Sequence, residues 1–179
     1  SPKGVVMAGN NDAKYLMKGA VKQVPTKDLF KDIITVNFPE VGKLDIYPNR
    51  DSMPYIDLYS IPEAKTMFRG TFRHPGWCES LDAMKELGLI SYDKFDMKGM
   101  SYADMVAKHI GASDSSNIKQ KVADYLKKDV NAHAIKAIEW LGLFSDEKMN
   151  RGEESPFEVT SDLMIDKMMI SEDERDMIA

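Results

Sequence analysis

The sequence predicts an α+β fold, because strand-like and helical patterns share the first half of the chain and helical patterns dominate the second. Short runs rich in β-branched and aromatic residues recur between residues 13 and 72, bounded by glycine, proline or asparagine. After Asp93, apolar residues recur every three or four positions. At 179 residues the chain is long enough for one good core with a small appended lobe.

The first half supplies the predicted strands. Ser1-Pro2 predicts the start of a short helix, since serine caps helices well and proline is tolerated in the first turn. Residues 13–24 predict a hairpin whose tight turn is Lys18-Gly19. Further strands are predicted at residues 33–38, 44–47 and 66–72, a single helical turn at 26–30, and helices at 53–59 and 77–87.

The second half is predicted to be mainly helical. Helical spacing covers residues 101–110, 117–127 and 132–141, and Ser101 and Ser116 are predicted to cap the first two segments. Ser155-Pro156 opens a further helix. Met177 and Ile178, near the end of the chain, are predicted to begin a strand. We interpret the three middle segments as a small helical insertion.

The composition argues against a nucleic-acid-binding or membrane-spanning protein. The net charge is −5, whereas a phosphate-binding surface needs clustered lysine and arginine. No apolar stretch approaches the roughly 20 residues that cross a bilayer. We therefore expect neither a nucleic-acid partner nor a membrane span.

The cysteine and histidine content argues against a metal site. Cys78 is the one cysteine, which excludes an internal disulfide and favours a reducing, cytoplasmic location. His74, His109 and His133 are far apart in sequence and lack the spacing of metal ligands. We expect no metal, and interpret Cys78 as a partly buried helix thiol.

Nucleotide-binding motifs are absent from the sequence. No Gly-x-Gly-x-x-Gly segment follows a strand, and no phosphate loop ends in a lysine. The chain alone is therefore expected neither to bind a nicotinamide cofactor nor to be active as a dehydrogenase.

Two arginines stand out by their context. Arg50 lies in the loop Pro48-Asn49-Arg50-Asp51-Ser52, and Arg73 ends a strand-like run before Pro75-Gly76. A guanidinium group engages both oxygens of a carboxylate and stays charged at any working pH, so two of them can hold a di- or tricarboxylate. An ordinary ion pair, for instance of Arg50 with Asp51 or Asp45, is the alternative interpretation.

The same segments resemble the glutamate-forming, NADP-dependent saccharopine dehydrogenases and the matching half of the bifunctional aminoadipic semialdehyde synthases. The resemblance runs from end to end, and the two arginine motifs at this separation are its most specific part. The residues that carry it are Ser1-Pro2-Lys3-Gly4-Val5, Tyr47-Pro48-Asn49-Arg50-Asp51-Ser52, Ile61-Pro62-Glu63-Ala64, Arg69-Gly70-Thr71-Phe72-Arg73-His74-Pro75-Gly76, Leu87-Gly88-Leu89-Ile90, Glu139-Trp140-Leu141-Gly142-Leu143 and Glu174-Arg175-Asp176-Met177.

The resemblance implies a domain organisation. Residues 1–95 and 153–179 would form a substrate-binding and dimerisation domain, with a mixed β-sheet covered by helices like the C-terminal domain of glyceraldehyde-3-phosphate dehydrogenase. Residues 96–152 would form the helical insertion. The N-terminal Rossmann domain that binds NADP in this family is absent from this chain.

The resemblance also implies a reaction and a set of site residues. Saccharopine, which carries three carboxylates and a secondary amine, would be interconverted with L-glutamate and 2-aminoadipate 6-semialdehyde in lysine metabolism, by a homodimer that uses NADP. Arg50, Thr71, Phe72 and Arg73 would contact saccharopine, Ser1 and Pro2 would lie near the nicotinamide, and no catalytic acid or base is expected in this chain. His74 and Phe72 stand where the family pattern has tyrosine and leucine.

Two other functions are compatible with the sequence. One is a carboxynorspermidine dehydrogenase-like enzyme, whose polyamine substrate needs acidic contacts at one end. The other is a stand-alone carboxylate-binding module without enzymatic activity. Turnover assays with saccharopine and with carboxynorspermidine distinguish the first alternative from a saccharopine dehydrogenase. An upstream Gly-x-Gly-x-x-Gly segment in the same reading frame would argue against the second, because it would make this chain a fragment of a larger enzyme.

Overall fold

A computed structural model describes residues 2–169, 171 and 173 and has the α+β architecture that the sequence predicts. The helices are α1 Pro2–Ala8, α2 Pro54–Leu58, α3 Trp77–Glu86, α4 Tyr102–His109, α5 Ile118–Leu126, α6 His133–Leu141 and α7 Pro156–Lys167, with a 3-10 turn at Thr26–Asp28. The strands are β1 Ala13–Met17, β2 Ala20–Val24, β3 Ile34–Phe38, β4 Gly42–Pro48, β5 Gly70–Arg73, β6 Phe95–Asp96 and β7 Glu153–Glu154.

The strands form a three-stranded sheet and two two-stranded ribbons. β3, β4 and β5 pair antiparallel in that order, and β1 and β2 form the predicted hairpin around Lys18-Gly19. Both turn residues have positive φ, as the twist of a two-residue hairpin requires. Single bridges from β1, parallel to Asp51 and antiparallel to Met67, join the hairpin to the larger sheet and give it mixed character.

The strand predicted at residues 66–72 is shorter in the structure, where β5 begins at Gly70. The Phe68 ring packs edge-on against Tyr15, with 4.9 Å between the ring centroids. The Ser52 hydroxyl accepts a hydrogen bond from the Arg69 backbone N–H at 2.9 Å, in place of a strand partner. A Cβ atom at Gly70 would lie 2.3 Å from the Ile46 side chain, so only glycine fits where β5 starts.

Two helix starts follow the predicted capping chemistry and one does not. The Ser101 and Ser155 hydroxyls each accept a hydrogen bond from the backbone N–H of the third helical residue, whose carboxylate in turn accepts one from the serine backbone N–H. The prediction that Ser116 caps α5 is wrong. Asn117 occupies that position in a left-handed conformation, because Ser116 instead bonds the Asp114 carboxylate. The strand predicted to begin at Met177 and Ile178 lies outside the described residues.

The core has two parts. The larger cluster joins α4, α5 and α6 to one face of α1, α3 and α7. The smaller cluster lies between the hairpin, the three-stranded sheet and α3. The pairing of β6 with β7 brings together the two ends of the predicted insertion, at residues 96 and 152, although the larger cluster continues beyond them. The domain boundaries stay a prediction.

Within the described residues, no helix has the length and apolar character needed to cross a bilayer. The same part of the chain contains no group of three or more histidine, cysteine, aspartate or glutamate residues arranged to hold a metal ion.

Lys85 ties three segments together. Its Nζ donates hydrogen bonds to the backbone carbonyls of Gly9, after α1, and Thr26, after β2. The ammonium also lies 5.5 Å from the centre of the Phe30 ring. Burial lowers the pKa of Lys85 from 10.5 to about 8, which the nearby carboxylates of Asp82 and Asp12 partly oppose.

The free energy of unfolding should therefore depend on pH through Lys85. Between about pH 8 and 10.5 the unfolded chain holds a proton that folded Lys85 has released, so folding becomes more favourable as pH rises through this window. We expect the unfolding free energy of the wild type minus that of Lys85→Met, measured by urea denaturation, to increase from about pH 8 to about pH 10.5. Lys98→Met, at an exposed lysine that is not among the charges acting on Lys85, is the control. A difference for Lys85→Met that stays constant over this pH range would contradict the prediction.

Candidate functional site

The pairing of β4 with β5 decides which side chains of the two arginine motifs face each other. Asp45 pairs with Arg73 and Tyr47 with Thr71, so these four side chains lie on the face that α3 covers. Ile46 pairs with Phe72 on the opposite face. The register therefore groups Thr71 with Arg73 and separates them from the side chain of Phe72.

Asn49 extends this face beyond the end of β4. Its backbone N–H donates to the Arg69 carbonyl at 2.9 Å, which continues the strand pairing by one step. Its side-chain amide donates to the Thr71 hydroxyl, also at 2.9 Å. Asn49 Oδ1 is buried and has no hydrogen-bond partner in the described structure. Asn49, next to Arg50 at the end of β4, therefore fixes the position of the Thr71 side chain.

Arg73 is held in place by two contacts. Its Nη1 donates to the backbone carbonyl of Phe72 at 2.8 Å, and its guanidinium carbon lies 5.4 Å from the centre of the Trp77 ring. The edge formed by Nε and Nη2 has no hydrogen-bond partner among the described residues, and Nε is buried. This edge is the one that binds a carboxylate side-on with two parallel hydrogen bonds.

Asp45, the cross-strand neighbour of Arg73, does not form an ion pair with it. The Asp45 carboxylate is buried and accepts a hydrogen bond from the Thr35 hydroxyl at 2.8 Å. No ion pair joins Arg50 or Arg73 to any carboxylate in the described part of the chain. The alternative of an ordinary ion pair therefore has no support in the described residues.

Arg50 is fixed through its backbone and exposed through its side chain. Its carbonyl accepts a hydrogen bond from the Lys14 N–H at 3.0 Å, and Ser52 N–H returns a bond to Lys14 at 2.7 Å. Its φ of 64° is left-handed, a conformation that costs a non-glycine residue roughly 1–2 kcal/mol. Six other non-glycine residues of the described structure, among them Lys18 and Lys127, share this left-handed conformation.

Arg73 and Arg50 lie at different points along the β4–β5 pair. Arg73 pairs with Asp45 of β4, and Arg50 follows Asp45 by five positions along the chain, two residues after β4 ends.

Of the other predicted site residues, Phe72, Ser1 and Pro2, only Phe72 has a described side chain. The Phe72 ring contacts Phe38 on the far face, at 5.3 Å between ring centroids, so only its backbone carbonyl reaches Arg73. Ser1 lies outside the described residues. Pro2 begins α1, and its side chain is not described.

Neither of two large clefts in the described structure contains Arg50 or Arg73. One, of about 490 Å³, lies on the far face of the sheet beside Tyr55, Tyr59 and Phe72. The other, of about 680 Å³, lies between α5 and α6. The candidate site therefore lies outside both clefts.

Cys78 and the histidines have structural surroundings. Burial raises the pKa of the Cys78 thiol to about 11, and the nearby Asp45 carboxylate adds to the shift, so the thiol is unreactive at neutral pH. His109 contacts the Met105 carbonyl through Nδ1 at 2.9 Å. His133 packs against Gly76, where a Cβ atom would lie 2.4 Å from the ring.

Asn49 and Trp77 lie beside the predicted site residues in the structure, although neither is predicted as a site residue from the sequence. Asn49 follows Tyr47 at the strand period of two and belongs to the motif of Arg50, which is a signal for a shared face. Trp77 stands at the start of the helix predicted at residues 77–87. It is only half-buried, and its position four residues after Arg73, at the start of α3, depends on how the turn folds.

Comparisons with known proteins place this geometry in context. The sequence profile of the family described as "Saccharopine dehydrogenase C-terminal domain" matches residues 1–179. The mitochondrial alpha-aminoadipic semialdehyde synthase of Bos taurus is 34% identical over 186 residues, which cover 99% of this chain and 20% of that protein. The saccharopine dehydrogenase [NADP(+), L-glutamate-forming] of Saccharomyces cerevisiae is 30% identical over 187 residues, covering 99% and 41%.

A solved structure has the same fold. Apo histidine-tagged saccharopine dehydrogenase (L-Glu forming) from Saccharomyces cerevisiae superposes with a TM-score of 0.77 at 30% identity, over 97% of this chain and 40% of that one. The chain thus spans about two fifths of the yeast enzyme and one fifth of the bovine enzyme.

The strained backbone of Arg50 generates a test of its role. Glycine adopts a φ of 64° without strain, so Arg50→Gly should leave the free energy of unfolding unchanged or raise it by up to about 1 kcal/mol. Arg151→Gly is the matched control, because Arg151 is ion-paired with Glu154 and Asp162. Urea denaturation measures both. A clear loss of stability in Arg50→Gly would show that this side chain stabilises the fold.

Proposed function

Because this chain belongs to the saccharopine dehydrogenase C-terminal domain family, we propose that it is the substrate-binding part of an oxidoreductase of lysine metabolism. The complete enzyme interconverts saccharopine with L-glutamate and 2-aminoadipate 6-semialdehyde and uses NADP. The observation that carries the proposal is the presence of two arginines without an ion-pair partner in the described structure, at opposite ends of one sheet edge.

The role of this chain is to bind and orient the substrate. Each guanidinium group takes one carboxylate of saccharopine, Arg73 through its Nε and Nη2 edge and Arg50 at the other end. A charge-assisted hydrogen bond contributes roughly 1.5–3 kcal/mol, so each arginine accounts for about one to two decades of affinity. Two fixed carboxylates leave the amine between them in one position, which is catalysis by orientation.

The described residues do not fit the nicotinamide cofactor. No β-strand of the described chain leads through a glycine-rich turn into a helix in the way that a dinucleotide phosphate site requires. We therefore assign NADP to a domain outside this chain and derive no step through it. The proposed position of Ser1 and Pro2 beside the nicotinamide depends on the family resemblance alone.

The arginines favour saccharopine over the alternative polyamine substrate. A carboxynorspermidine-type ligand needs acidic partners for its cationic end. Asp45 on this face is buried and accepts a hydrogen bond from Thr35, and the Asp51 carboxylate beside Arg50 accepts one from the Met53 N–H at 2.8 Å. Arg50 and Arg73 have no ion-pair partner in the described structure, so they are the groups that can bind a charged ligand.

The cysteine content bears on the location of the protein. A single cysteine, buried in α3, is compatible with the cytoplasm as predicted. The bovine relative is named as mitochondrial, and the matrix is also a reducing compartment. A cytoplasmic location stays a prediction for this chain.

A homodimer is proposed through the far face of the three-stranded sheet. Ile34 and Phe38 are 40% and 38% exposed there, and Ile46 and Phe72 are half-buried beside them. Tyr59 and Leu58 of α2 extend the apolar area. An exposed apolar sheet face of this kind is stabilised when a second copy covers it.

The arginine assignment predicts a specific kinetic effect in the full-length enzyme. Arg50→Lys or Arg73→Lys keeps the charge and loses the two-pronged geometry, so KM for saccharopine should rise roughly tenfold or more while KM for NADP barely changes. Thermal stability should stay the same. Steady-state kinetics and a melting curve measure these effects.

Arg151→Lys is the control for this experiment, because it replaces an arginine that bridges Glu154 and Asp162. It should lower the melting temperature and leave saccharopine kinetics unchanged. If both Arg50→Lys and Arg73→Lys show wild-type saccharopine kinetics, the substrate carboxylates are held elsewhere.

The dimer proposal is tested by light scattering on the chain. We expect a mass of twice 20.2 kDa for the wild type, and a monomer for the double variant Ile34→Lys/Phe38→Lys, since two buried charges would face each other across the interface. Val21→Lys, at an exposed valine of the hairpin, should remain dimeric. A wild-type particle of 20.2 kDa at high concentration would contradict the proposal.

A further inference from the structure

Three buried polar atoms without a hydrogen-bond partner in the described structure lie along the candidate site. They are Asn49 Oδ1, Arg73 Nε and Trp77 Nε1. A fourth such atom, Ser161 Oγ, belongs to α7. Burying an unpaired polar group typically costs about 1–3 kcal/mol, so folds avoid it unless the groups have a function. Three of them around one strand pair indicate a ligand.

Two contacts and one shared strand face link the three groups. Asn49 bonds the Thr71 hydroxyl, Thr71 and Arg73 share one face of β5, and the Arg73 guanidinium lies over the Trp77 ring. Side chains two residues apart on a strand are separated by roughly 7 Å, which is about the size of a small polar head group. A head group of this size would bridge Arg73 and the Asn49–Thr71 pair.

The donor or acceptor character of each of the three atoms indicates which ligand group it can bind. Arg73 Nε–H and Trp77 Nε1–H are donors, and both suit the carboxylate that the Nε and Nη2 edge of Arg73 binds. Asn49 Oδ1 is an acceptor, and it matches an amine. A carboxylate and an amine on the same carbon form the head group of an α-amino acid.

Trp77 also positions Arg73. The indole lies against the guanidinium, which restricts rotation of the Arg73 side chain about its long axis. Because Arg73 Nη1 is taken by the Phe72 carbonyl, the Nε and Nη2 edge is the one presented to the ligand. Because Arg73 Nε and Trp77 Nε1 are buried, a ligand reaches them only if one of these two side chains turns.

We propose that Asn49, Arg73 and Trp77 together recognise the α-amino-acid head group of the substrate, with Asn49 selecting for the amine. This inference rests on the proposed function, because it takes the ligand to be saccharopine or one of its amino-acid products. It assigns a role in binding to Asn49 and Trp77, and it explains why the site can reject a dicarboxylate that lacks the amine.

Competitive inhibition of the full-length enzyme tests the proposal. The probes are L-glutamate against glutarate, and L-2-aminoadipate against adipate, since each pair differs only in the amine. We expect the wild type to prefer the amine-bearing member of at least one pair, and Asn49→Leu to reduce that preference roughly tenfold. Asn49→Asp keeps an acceptor and should retain the preference, which a merely structural role does not predict.

Trp77→Phe keeps the stacking ring and removes the N–H donor. It should weaken both members of the affected pair by roughly tenfold while leaving KM for NADP unchanged. Asn131→Leu and Trp140→Phe, at two exposed positions, are matched controls and should change nothing. Melting curves of all variants exclude loss of folding as the cause.

The outcomes separate this inference from the proposed function. If the wild type turns over saccharopine but Asn49→Leu and Trp77→Phe inhibit like the wild type, the amino-acid head group is recognised elsewhere and the inference is wrong. If the wild type does not turn over saccharopine at all, the proposed function is wrong. Equal loss of L-glutamate and glutarate binding in Asn49→Leu would also overturn the assigned selection for the amine.

Discussion

The antiparallel pairing of β4 with β5 is the constraint on which the candidate site depends. Because side chains alternate between the faces of a strand, a shift of one residue in this pairing would move Thr71 and Arg73 to the far face and bring Phe72 to the site. Several contacts secure the register. Ile46 and Phe68 leave no room for a side chain at Gly70, and the Ser52 hydroxyl takes the Arg69 N–H. These residues position the arginines without touching a ligand.

α3 and the start of α6 support the same site from the side that faces the sheet. α3 begins at Trp77, buries Cys78 and Leu81 against the sheet, and holds Lys85 at its other end. The helix starts at Gly76, whose left-handed φ of 93° and lack of Cβ leave space for the ring of His133 at the start of α6. The contact of α6 with Gly76 therefore supports the position of Trp77, and through Trp77 the orientation of Arg73.

Much of this architecture is predictable from local sequence patterns. The hairpin around Lys18-Gly19, the capped helices after Ser101 and Ser155 and the grouping of Arg50 with the β4 end follow from turn and capping chemistry. The separation of Phe72 from Arg73, the burial of Asn49 and the contact of Trp77 with Arg73 depend on strand register and helix packing, which single-sequence periodicity does not contain. Ser116 was assigned as a cap because its chemistry suits one, but the nearby Asp114 carboxylate competes for it.

The central claim is that the two arginines of the β4–β5 edge hold the carboxylates of the substrate. A crystal structure of the full-length enzyme with saccharopine tests it most directly. We expect one carboxylate within hydrogen-bond distance of Arg73 Nε and Nη2 and another within reach of the Arg50 guanidinium. Saccharopine bound with neither arginine in contact would contradict the account.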